Sequence, residues 1–146
     1  MLSVFAGVEV LEGNGRPGEV FTTPLAASHQ HNGWVDQFLS MPAGGLEDRY
    51  LKLSQRVGRG QFDLAVHEFS ANIARGRYGR ELDLAASGPF LEDYSVLLKA
   101  ANFRADGQNA DVSKVWVMLD ASFQASTSRF HRSLEIVWER DAWRQS

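Results

Sequence analysis

The chain has 146 residues, 44% of them hydrophobic and 11% aromatic, which suits one folded domain with a real core and excludes a disordered segment. It has no cysteine, so disulfides, thiolate catalysis and Cys-ligated metal centres are ruled out. Net charge is −3 and unevenly spread: residues 1–48 carry six acids against Arg16 alone, whereas residues 49–80 carry seven arginines and lysines against Asp63 and Glu68. A basic middle segment can bind nucleic acid, but such binders are usually basic throughout, and this acidic chain argues against that partner.

In chain order, Leu2–Leu11 is apolar and β-branched. It is followed by dense turn chemistry at Gly13-Asn14-Gly15-Arg16-Pro17-Gly18 and a short β-prone run, Glu19–Thr23, which together predict a hairpin. Residues 33–41 place Trp34, Val35, Phe38 and Leu39 at helical spacing. Leu46, Tyr50, Leu53 and Val57 then form one stripe, and Phe62, Ala65, Val66, Phe69 and Ile73 another, so the spacing predicts helices over 46–57 and 62–73. A short strand is expected over 78–84. A third helix is expected over 90–101, opened by Ser87, Gly88 and Pro89, with Phe90, Leu91, Tyr94, Leu97, Leu98 and Ala101 on its apolar face.

The last third alternates with period two. Folding it back through 124–129 sets Val115 opposite Trp138, Val117 opposite Ile136, Leu119 opposite Leu134 and Phe123 opposite Phe130, with Lys114 facing Glu139 on the other side. This predicts a long antiparallel hairpin whose apolar face lies against the helices. The outcome is a single α+β domain over 1–146, with 1–45 as an N-terminal extension and 46–146 as the core. The N-terminus lacks the basic lead-in of a signal peptide, and no window approaches the ~18 apolar residues of a spanning helix, so the expectation is a cytoplasmic chain with no membrane partner.

Two features carry a family resemblance: the joint Gly58-Arg59-Gly60-Gln61-Phe62-Asp63 between two expected helices, and the terminal Trp138-Glu139-Arg140-Asp141-Ala142-Trp143-Arg144. Over about 100 residues from Leu46 the order of elements resembles the NTF2-like (SnoaL or ketosteroid-isomerase-like) superfamily. That resemblance implies helices packed on one face of a curved antiparallel sheet, with an apolar pocket between them, in either an isomerase- or hydrolase-type enzyme or a binding module.

On that reading His67 is a candidate general base with Asp63 one helical turn earlier, although such a pair is also common on helix surfaces. Arg132, opposite Ala121, interrupts an apolar face and could hold an anion, or could simply reach water. Tyr50, Phe69, Tyr94, Val117, Leu119 and Leu134 are expected to line a pocket for a hydrophobic small molecule. Trp116, Met118 and Val137 form an apolar patch on the second face of the hairpin, which points to a homodimer or a protein-interaction module. His29, His31, His67 and His131 match no metal-ligand spacing, and no cofactor is expected.

Overall fold

The computed structural model describes residues 1–13, 33–40, 42–73, 76–107, 110–125 and 128–142. These form seven strands: β1 Leu2–Leu11, β2 Leu46–Val57, β3 Gly60–Ser70, β4 Arg77–Leu91, β5 Tyr94–Ala105, β6 Asp111–Ala125 and β7 Ser128–Ala142. They make one antiparallel sheet in the order of the chain, each strand bonded to the next. No helix occurs among the described residues.

The α+β expectation is therefore corrected, and with it the NTF2-like cone and the pocket between helices and sheet. The stretches 46–57, 62–73 and 90–101 are strand or strand-and-turn, and 33–40 runs through turns and bends. The physical reason is legible in β2. Leu46 and Tyr50 point to one face of the sheet while Leu53 and Val57 point to the other, so the apparent helical stripe is two period-two sets overlaid. In β3, Phe62 and Val66 lie on one face, and Ala65 and Phe69 on the other. A strand apolar on both faces mimics the i, i+3, i+4 spacing of a helix. The expected strand 19–23 and the histidines at 29 and 31 lie outside the described residues.

The terminal hairpin forms in the expected register, with Val115 opposite Trp138, Val117 opposite Ile136, Leu119 opposite Leu134 and Phe123 opposite Phe130. Lys114 faces Glu139 and bonds it at 3.4 Å. Its orientation is the reverse of the one expected. Val115, Val117, Leu119, Leu134 and Ile136 are exposed, whereas Trp116 on the opposite face is buried.

The core lies on the Trp116 face. Leu46, Phe69, Ala101, Phe103, Ala105, Val112 and Trp116 project from the sheet and are covered by Val35 and Phe38 of segment 33–40. Phe38 meets Phe69, Tyr78 and Phe103 with ring centroids 4.7–6.0 Å apart. Gly79, at φ +154°, lets the Phe103 ring lie against the β4 backbone, where any Cβ would collide with it.

Connections differ at the two ends of the meander. Two residues separate β2 from β3, β4 from β5 and β6 from β7, while 34, 6 and 5 residues separate β1 from β2, β3 from β4 and β5 from β6. Antiparallel succession places the three short turns at one end and the three longer connections at the other.

Candidate functional site

One side of the sheet is apolar and open, while the other, which carries both the aromatic core and four buried titratable residues, is covered in part by segment 33–40. One ladder row on the open side reads Val4, Leu53, Leu64, Leu84, Ala100, Val115, Trp138, apolar across all seven strands. The next row reads Leu2, Gln55, Phe62, Ala86, Leu98, Val117, Ile136. Trp138 is 56% exposed, Leu134 60% and Leu84 47%. A groove of about 660 Å³ on this side is bordered by Leu53, Phe62, Leu84, Leu98 and Val115. Toward the long-connection end the apolar band stops at a row of charge, Arg49, Glu68, Arg80 and Arg104. Arg77 pairs with Glu68 there. Arg104 reaches Asp111 at 3.1 Å.

The covered side carries Asp48, His67, Glu81 and Asp83, each at most 2% exposed. Period two and the ladder bring them together, since His67 sits opposite Glu81 and Asp83 follows two residues on. His67 Nδ1–H donates to both oxygens of Asp48, at 2.8 and 3.0 Å, with its ring stacked between Tyr50 and Phe69. Its Nε2 lies 3.8 Å from Asp83 Oδ2. Burial, and then the neighbouring Glu81 carboxyl, push the Asp83 carboxyl up to about 9 against the opposing pull of Lys99 and Lys52. Lys99 also lies 4.1 Å from the Trp34 ring centre and 5.1 Å from that of Trp116.

Glu81 ties segment 33–40 to this face. The backbone N–H groups of Trp34 and Val35 donate to its Oε1, the latter at 2.9 Å. Gly33 has φ +81°, and a Cβ there would strike the same carboxylate, so the turn needs glycine for both conformation and room. Lys114 reaches Asp36 at 3.7 Å, a second anchor on the same segment.

The sequence-derived candidates divide between the two faces. His67 and Asp63 share the covered face but sit four residues apart on an extended strand, so the turn-to-turn contact of a helix is absent and His67 bonds Asp48 instead. Asp63 accepts from Gln61 Nε2 at 3.0 Å. Tyr50 and Phe69 flank His67, while Val117, Leu119, Leu134 and exposed Arg132 are on the open face, and Tyr94 is at the short-turn end. They do not form one pocket. Trp116 is buried rather than presented to a second subunit, with Met118 half-buried and Val137 exposed beside it.

Sequence reading missed Asp48, Glu81, Asp83 and Lys99. For Glu81 and Asp83 the signal was the period-two alternation in Glu81-Leu82-Asp83-Leu84; Asp48 and Lys99 lie in stretches without such alternation. No group of three or more His, Asp or Glu among the described residues is arranged to hold a metal ion. No helix among them is long and apolar enough to cross a membrane. Comparison with protein-family models, curated proteins and solved structures finds no match.

Proposed function

We propose that these seven strands are part of the wall of a transmembrane β-barrel of the outer-membrane type, with the open apolar face toward lipid. The polar face lines a lumen partly filled by segment 33–40, and the function is passage or uptake of polar solutes. The observation that carries this reading is an exposed row that is apolar across all seven strands, set back to back with a face on which Asp48, His67, Glu81 and Asp83 are buried. In water that arrangement exposes what the hydrophobic effect hides and hides what it exposes. In a bilayer both placements become favourable.

Three further features support it. Strands of 10–15 residues are each long enough to supply the 9–11 residues that a tilted strand needs to cross the hydrocarbon. Short turns at one end and longer connections at the other are the asymmetry of such barrels. The charged row at Arg49, Glu68, Arg80 and Arg104 bounds the band where headgroups would begin. The groove beside Leu84 and Leu98 then accommodates lipid chains. A helical-span criterion is blind to this kind of crossing, because strands alternate where helices run continuously apolar. The reading departs from the expected cytoplasmic location.

Among the described residues no strand pairs with the outer edges of β1 and β7. These two strands run in the same direction, so all-antiparallel closure takes an odd number of further strands, giving the even total usual for bacterial barrels.

The test uses variants that retain one tryptophan, refolded into vesicles containing bromine-labelled lipid. Trp138 should be strongly quenched and Trp116 spared. Equal quenching of both, or a chain that is monodisperse and β-structured in plain buffer without detergent, would refute the reading.

A further inference from the structure

A cavity of about 360 Å³ opens on the polar face between β1, β2, β3 and Trp34. Building on the lumen reading above, we infer that this cavity is a subsite for a neutral polyhydroxylated ring, a sugar of one or two units. Its floor is a single ladder row, Ser3–Ser54–Asp63, so two hydroxyls and a carboxylate stand side by side across three strands. Both Asp63 oxygens accept from Gln61 Nε2 at 3.0 Å, which fixes the plane of the carboxylate. The adjoining row contributes Phe5 and Lys52.

Phe5, on edge strand β1, brings an open aromatic ring to the cavity: it is 60% exposed and stacks on Tyr50 at 5.9 Å, which leaves the rest of its ring accessible. Trp34 borders the same cavity, with Lys99 above its ring. Aromatic rings beside hydroxyl, carboxylate and ammonium groups match the two surfaces of a pyranose. Its C–H face packs on the rings, and its hydroxyls both donate to Asp63 and accept from Lys52. Asp63 and Lys52 have opposite charge, so the site favours a neutral ring over a net anion or cation. The volume lies within the ~300–1,000 Å³ of small-molecule sites.

The experiment uses the full chain folded in a glycan-free detergent, with maltose as probe and benzoate as competitor class, read by saturation-transfer NMR on the ligand protons. Maltose should show saturable transfer. Its affinity should fall about tenfold or more in Trp34→Ala and in Asp63→Asn, and should be largely kept in Trp34→Phe. Far-UV circular dichroism of each variant establishes that the sheet is retained. Absence of transfer to maltose, transfer unchanged by both variants, or preferential binding of benzoate strengthened by Asp63→Asn would overturn the subsite. Quenching of Trp138 in the same preparation scores the membrane reading separately, since that residue lies on the opposite face from the cavity.

Discussion

Leu84 and His67 lie on neighbouring strands and opposite faces, and together they express how this sheet is built. Leu84 is 47% exposed in the middle of the apolar row. In a water-soluble sheet, Leu84→Arg at such a position would change stability by no more than about 0.5 kcal/mol. Facing the bilayer midplane, the same substitution should cost about 2–4 kcal/mol. Equilibrium unfolding in lipid vesicles reads this directly, and a neutral result there counts against a lipid-facing Leu84. His67→Ala acts from the other side. It removes the donor to Asp48 while leaving that carboxylate 1% exposed, so we expect a loss of about 3 kcal/mol, seen as a lower urea midpoint. His67→Gln, which retains a donor, should recover part of it. Of these two residues the sequence marked only His67 as a candidate, and it named the wrong partner. Asp63 is nearest to His67 on a helix, but on a strand the partner comes from the adjacent chain segment.

At the scale of elements, the connection between β1 and β2 is the one that turns back onto the sheet. Its described part is anchored by Glu81 on the Trp34 and Val35 amides, Lys99 over the Trp34 ring, Lys114 on Asp36, the Phe38 ring among Phe69, Tyr78 and Phe103, and the Gly44 and Gly45 carbonyls, which accept from Asn72, Ile73 and Tyr78. Glu81→Ala strands two backbone donors, a penalty of about 2 kcal/mol and hence some thirtyfold in the population of the released segment. Chymotrypsin cleavage at Phe38 should accelerate accordingly while the sheet stays intact by circular dichroism. Unchanged cleavage would mean that the remaining anchors hold the segment without Glu81. The hairpin of β6 and β7 was legible residue by residue because every second position is apolar over a long run, and a slip by one would break the pattern. Strands β2, β3 and β5 were not, because apolar residues on both their faces leave no single period. The connections at 58–59 and 92–93 have the two-residue length commonest in β-hairpins, a length that two-residue helix joints share.

For the whole molecule, the open apolar face makes solvent part of the fold. In plain buffer the chain should self-associate through its apolar face, and micelles or vesicles should convert it to a dispersed β-structured form, measured by light scattering alongside circular dichroism. A chain that stays dispersed without amphiphile would remove the lipid-facing role of the Val4-to-Trp138 row. By itself the sequence determined which residues pair in the last hairpin, and that no cysteine chemistry operates, because strand register and composition are local properties. Tertiary structure decided that the preceding segments are strands, that Asp48, His67, Glu81 and Asp83 converge, and that Leu119 and Leu134 face outward while Trp116 faces in. Alternation says that two faces differ, but only the neighbouring strands and the folded-back segment 33–40 establish which face is covered.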